Sequence, residues 1–178
     1  MISLPCKCFI HVLFVSSLLC VQNSAQAALR AGASAVDITP TEFPVIVNGM
    51  FEERKADKAL DPLFAKCIVL DDGTTRLAIV VADSCMMPRD LLDEAKSIAS
   101  KSTGIPTDRI LISATHTHSA PSAMGCLGSD PDVNYQKFLP PKLAKSIELA
   151  AANLRPAKVG SAIAKAPDYT ACRRWRAR

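Results

Sequence analysis

The chain has 178 residues, 49% of them hydrophobic, and a formal charge of +4. That length sets one domain as the starting expectation, with apolar content enough for a sizeable core. The charge is too mild for a nucleic-acid binder. The basic run Arg173-Arg174-Trp175-Arg176-Ala177-Arg178 reads as a solvated tail.

Residues 1–27 read as a secretory signal. Lys7 is the positive start, Phe9 to Val21 is an apolar run, and Ala25-Gln26-Ala27 is a cleavage site. The run is too short for a comfortable membrane span, and no second one follows. Cys20 follows a large residue, Leu19, which makes a poor lipoprotein box. The expectation is an exported protein, periplasmic or secreted, with residues 28–178 as a single domain and no transmembrane anchor after cleavage. Cys67, Cys85, Cys126 and Cys172 remain in that domain. They are too scattered for a disulfide scaffold and contain no C-x-x-C pair, though one or two bridges stay open.

Arg30 to Ile38 reads as a first strand, stopped at Thr39-Pro40. Glu42 to Asp61 lacks periodicity and reads as a long loop. Ala65 to Leu70 and Thr75 to Ala82 read as strands, joined by the hairpin signal Asp71-Asp72-Gly73. Leu77 to Ala82 is continuously apolar, which predicts burial on both faces. Asp83 follows at a strand's carboxyl end. It suits either a cap on the next turn or a carboxylate that orients a ligand histidine.

Pro88 to Ser100 is predicted to be a helix, with Pro88 at its first position and Gly104 stopping it. Leu91, Leu92, Ala95, Ile98 and Ala99 form its apolar stripe. A strand at Ile110 to Ala114 comes next, and the order strand, helix, strand predicts a parallel crossover. Asn134 to Leu154 is largely helical in pattern, with Pro140-Pro141 expected to break or restart it. Lys158 to Ala164 reads as a last strand. The fold class is therefore α/β, a mixed sheet with parallel crossovers and helices packed on it.

The chemistry concentrates after the strand at Ile110. Of three histidines, His11 lies in the leader, so His116 and His118 carry any imidazole chemistry of the exported domain. Residues i and i+2 leave a strand on one face, so the two rings point together if strand geometry runs through Thr117. Two imidazoles at a strand's carboxyl end make half of a zinc site. The alternative is a pair of loop histidines bonded to local backbone.

Ser113-Ala114-Thr115-His116-Thr117-His118-Ser119-Ala120-Pro121 resembles the A-T-H-T-H-S-G-P signature of the neutral/alkaline, non-lysosomal ceramidases. The likeness extends to Gly32-Ala33-Ser34-Ala35-Val36-Asp37-Ile38-Thr39-Pro40, Asp61-Pro62-Leu63-Phe64-Ala65-Lys66 and Leu70-Asp71-Asp72-Gly73. It implies a zinc-dependent amidase that cleaves the N-acyl bond of ceramide, giving sphingosine and a fatty acid. His116 matches the family's first zinc ligand. His118 matches a catalytic-site histidine beside the metal. Arg173 is similar in position to an active-site arginine of the family, with Arg174 as the equal alternative for that one position. The family's remaining ligands (a histidine, a glutamate and a tyrosine) and its serine lie further downstream than residue 178. The resemblance thus implies an incomplete N-terminal catalytic domain that acts on a lipid amide, with Zn2+ as cofactor and a complementing C-terminal chain as partner. A non-catalytic exported α/β binding module is the alternative. A barrel amidohydrolase fits less well, because such barrels run to roughly 250 residues.

Overall fold

The computed structural model describes residues 29–169. Seven strands and two α-helices fall in the order β1 (Arg30–Asp37), β2 (Val45–Val47), β3 (Arg54–Ala56), β4 (Phe64–Asp71), β5 (Arg76–Ala82), α1 (Arg89–Thr103), β6 (Ile110–Ala114), α2 (Val133–Ala152) and β7 (Arg155–Pro156). Five strands form a mixed sheet in the order β6-β5-β4-β1-β7, and β2 pairs with β3 in a separate ribbon. Only β5 and β6 run parallel among the described strands. The α/β class holds, with one parallel crossover, through α1, where the sequence pattern suggested several.

The helices cover one face of the sheet. Cys67 and Val69 of β4, Ala78 and Val80 of β5, and Ile110 and Ile112 of β6 point inward with less than a tenth of their surface exposed. They meet Leu91, Ala95 and Ala99 of α1 and Leu139, Leu143 and Ile147 of α2. Burying one such aliphatic side chain stabilises by roughly 1.5–3 kcal/mol. α2 therefore continues through Pro140-Pro141 without a break. Each interior proline costs about 3 kcal/mol, and the carbonyls they orphan belong to Gln136, which is half-buried, and Lys137, which is exposed. The buried stripe offsets the cost. Asp132 caps the helix by accepting from the Tyr135 amide at 3.0 Å.

Among the described residues, nothing covers the other face of the sheet. Ile68, Ile79, Val81 and Leu111 stand on it, 40% to 57% exposed. β5 is thus not buried on both faces. Its alternate residues face solvent although all are apolar. Two further segments differ from the sequence reading. Residues 42–61 are not all loop, because the three-residue strands β2 and β3 lie within them, too short to show periodicity. Residues 158–164 form no strand. Among the described residues the pairing near them is Arg155 and Pro156 beside β1, continued by the Ala157 amide donating to Leu29 O at 2.8 Å, after which Val159 and Ile163 are exposed. Pro88 is the cap of α1 and not its first residue. Cys67, Cys85 and Cys126 are free thiols, and Cys172 lies outside the described residues.

The β4–β5 hairpin is built as its D-D-G signal requires, with Gly73 at φ 90°. Asp71 is buried beneath it. It accepts from the Gly73 amide at 2.7 Å and from Arg76 at 2.8 Å and Arg30 at 2.6 Å. The Gly73 amide, then Arg76, then Arg30 hold its carboxyl down at about 2. A carboxylate whose pKa is lowered by folding contributes stability that is complete above its unfolded value of about 4. That contribution is expected to disappear as pH falls from about 4 through about 2. Urea midpoints of the wild type and Asp71→Asn should converge over that window. Parallel curves would show that the pairing is not specific to the folded state.

Candidate metal centre and its cleft

The candidate site lies where β5 and β6 end side by side. Their parallel ladder continues beyond the strands: Thr115 donates its amide to Ala82 O and His116 donates to Ser84 O, both at 3.0 Å. These bonds lay the His116 turn against Ser84-Cys85. Strand geometry stops at Ala114. His116 takes a left-handed conformation with φ 64°, so strand alternation does not align the two histidines. The turn does so instead. The rings meet edge to face, with centroids 4.8 Å apart.

His116 Nδ1 lies 3.0 Å from the carbonyl oxygen of Cys85. A carbonyl only accepts, so Nδ1 carries the proton and Nε2 keeps its lone pair. A metal-binding histidine is commonly oriented in this way. The orienting group is not Asp83. Its carboxylate instead accepts from the Phe64 amide at 2.9 Å, tying the start of β4 to the end of β5. Neither sequence reading of Asp83 anticipated that bond.

Cys85 itself was not singled out in the sequence. Its Sγ lies 3.8 Å from His116 Nδ1. Donor atoms of Cys85, His116 and His118 all fall within 4.8 Å of one another. Cys85 is buried while both histidines are exposed, so the cluster has one inner and two outer members. Burial, and then the nearby Cys126, push the Cys85 thiol up. The signal that could have found Cys85 is topological: it follows β5 as His116 follows β6, and parallel pairing makes those ends neighbours.

The loop after His118 is fastened to the β2–β3 ribbon. Ser122 donates its amide to Ile46 O at 2.7 Å. Buried Asn48 donates to Met124 O at 2.6 Å and to Ser122 Oγ at 3.1 Å. Arg54 reaches His118 O at 3.3 Å. A cleft of about 380 Å³ opens between ribbon and loop. Phe43, Val45, Val47, Leu60, Leu63 and Pro121 give it apolar walls, Arg54, Lys55 and Lys58 add positive charge, and His118 stands at its edge. His116 and Cys85 do not line it. Arg173 and Arg174 lie outside the described residues.

Gly49 backs the His118 ring. With φ 102°, it has a conformation that side chains rarely adopt, and a Cβ there would sit 2.6 Å from His118 Cγ. The ring can turn away, so Gly49→Ala is expected to keep the fold at a cost of about 1–2 kcal/mol in backbone strain. The His118 ring should swing off His116, and zinc affinity should drop by about tenfold. Imidazole proton shifts and calorimetric zinc titration check both effects.

No family model matches the chain. Two solved structures share its architecture. One is the neutral ceramidase from Pseudomonas aeruginosa, 23% identical with a TM-score of 0.64, and the other is a ceramidase complexed with C2, 21% identical with a TM-score of 0.56. The chain is folded like part of a neutral ceramidase. Each match covers 73% of this chain and 22% of the other, so the chain spans about a fifth of the length of these structures. No helix among the described residues is long and apolar enough to cross a membrane.

Proposed function

We propose that this protein is the N-terminal part of an exported, zinc-dependent amidohydrolase of the neutral ceramidase kind, acting on a lipid amide such as an N-acylsphingosine. The observation that carries this reading is the meeting of His116 and His118 at the joined ends of β5 and β6, in a fold like that of a neutral ceramidase. The donor set suits the metal: imidazole nitrogens, with a thiol alongside, are the ligand types zinc takes. Zinc bound there would supply Lewis-acid polarisation of an amide carbonyl, or a water acidified to near neutral pH.

The chain's own residues prepare the rest. The Cys85 carbonyl holds His116 in one tautomer, as the ligand. His118 lies between that ligand and the cleft, where it would contact the amide as a catalytic group. The apolar walls of the cleft suit an acyl or sphingoid chain, which would be drawn from water by burial. Arg173, or its neighbour Arg174, is assigned to stabilising the oxyanion of a tetrahedral intermediate. A complementing C-terminal chain would supply further ligands and pack on the bare apolar face around Ile79 and Val81.

The test has two arms. Zinc titration of the chain, with and without His116→Ala, should show binding that the variant loses. A short-chain fluorescent ceramide should remain uncleaved by the chain alone. It should be hydrolysed once the C-terminal portion of the Pseudomonas aeruginosa enzyme is added as a separate polypeptide. Zinc-dependent turnover by the chain alone would overturn its assignment as an incomplete catalyst, and absence of zinc binding would overturn the metal centre. The cleft also favours a second reading, a non-catalytic exported α/β binding module. That module would retain lipid amide after His116→Ala, with no zinc requirement.

A further inference from the structure

We propose that the cleft beside His118 selects a lipid amide with a carboxylate next to the amide, the chemistry of an N-acyl amino acid, and that Arg54 holds that carboxylate. The inference rests on the amidohydrolase reading above and deepens it by naming the substrate's charge. An N-acylsphingosine is neutral beside its amide and gives a guanidinium no counter-charge.

The register of the β2–β3 ribbon places the cation. Val47 lies opposite Arg54, and Val45 lies opposite Ala56. Residues directly opposite in an antiparallel pair share a face, so Arg54 stands on the face whose valines wall the cleft. Lys55 alternates to the other face, opposite Ile46. Lys58 follows the strand and also lines the cleft. Arg54 Nη2 donates to His118 O at 3.3 Å. That bond keeps the guanidinium at the His118 end of the cleft and leaves most of its five donors open. Among the described residues no carboxylate pairs with Arg54, Lys55 or Lys58. Asp61 is the only acidic residue among those lining the cleft. Glu53, the neighbour of Arg54, instead accepts from the Asp130 amide at 3.3 Å. The cleft therefore combines apolar walls with an unneutralised cation at its histidine end. In an N-acyl amino acid the carboxylate carbon is two bonds from the amide nitrogen. An amide set against His118, with its acyl chain along the valines, brings that carboxylate within reach of Arg54. A planar guanidinium takes a carboxylate through two parallel hydrogen bonds.

Binding to the 178-residue chain is measured by calorimetry with single-chain probes kept below their micelle concentrations. They are N-dodecanoylglycine, its neutral analogue N-dodecanoylglycinamide, and dodecanoate. The wild type should bind the acid at least about tenfold more tightly than the neutral amide, and added salt should narrow the gap. Arg54→Gln should weaken the acid by about tenfold and leave the neutral probe unchanged. Arg54→Lys, which keeps the charge without the planar fork, should fall between. Far-ultraviolet circular dichroism checks each fold, and the lysine variant serves if the glutamine variant does not fold. Equal affinities for acid and neutral amide, or a preference that survives Arg54→Gln, would overturn the proposal. Dodecanoate bound as tightly as N-dodecanoylglycine would also overturn it, because the cation would then read a fatty acid's own carboxylate. The zinc titration is read separately. Equal affinities beside intact zinc binding would remove the substrate's charge and leave the amidohydrolase reading standing. An intact preference without zinc binding would overturn that reading and leave the carboxylate site standing.

Discussion

Gly32→Ala is expected to destabilise the protein by at least about 3 kcal/mol, at the upper end of overpacking costs. Gly32 sits in β1 beneath the end of α2. A Cβ there would overlap the carbonyl oxygen of Ala150 and come within 2.9 Å of Asn153 C and Leu154 N. All three atoms are backbone, so no rotamer change makes room. The helix would have to lift from the sheet, but it is tied down on both sides of the contact. Ser34 Oγ donates to Ser146 O at 2.6 Å, and Asn153 Nδ2 donates to Ala33 O at 3.1 Å. A loss of that size is a large share of the 5–15 kcal/mol typical of a whole domain. Ala33→Val supplies the control. Ala33 points to the solvent side of the same strand, where a change is expected to stay within about 0.5 kcal/mol. Urea midpoints of the two variants decide the matter. An unshifted midpoint for Gly32→Ala would mean that α2 does not rest on β1 as described.

The same contact shows what the sequence could and could not disclose about the fold. Strands β1, β4, β5 and β6 and both helices were legible to within a few residues, because each carries its period, its turn or its stop. The D-D-G hairpin and the Gly104 cap depend on local backbone chemistry, and local chemistry is written in adjacent residues. Burial is not local. Leu77 to Ala82 is entirely apolar, so its pattern cannot say that Ile79 and Val81 face water while Ala78 and Val80 face the core. Pro140-Pro141 reads as a break because propensity is local too, yet the stripe of Leu139, Leu143 and Ile147 decides the outcome through packing. β2 and β3 have three residues each, fewer than any periodic signal needs.

The candidate site was half legible. His116 and His118 were found by residue type and spacing, and they do meet. The reason offered for their meeting was strand parity, which fails at Ala114. The left-handed turn at His116 does the work, and nothing about a histidine announces φ 64°. Cys85 is 31 positions from His116, and it joins the cluster only because β5 and β6 pair in parallel with Ala82 opposite Ala114. That register had to be known before the thiol could be placed.

The left-handed conformation of His116 leads to the second large effect, which separates stability from metal binding. His116→Ala and His116→Gly both remove the imidazole, and both should cost zinc affinity at least about a hundredfold, more than the loss typical of an orienting neighbour. Their stabilities should nevertheless differ. Alanine normally suits a folded chain better than glycine, by roughly 0.5–1 kcal/mol in regular elements. At φ 64° the order reverses, because a Cβ in the left-handed region costs roughly 1–2 kcal/mol and glycine has none. His116→Gly is therefore expected to melt above His116→Ala by a few degrees, with zinc affinity lowered alike in both variants. Such strain is worth holding where a side chain must point into a site, and it collects at functional positions for that reason. Equal melting temperatures, or the ordinary order with alanine ahead, would mean that the turn relaxes freely and that the imidazole is not held in place by the backbone. The inverted order together with lowered zinc affinity would tie the strain at residue 116 to the ligand it presents.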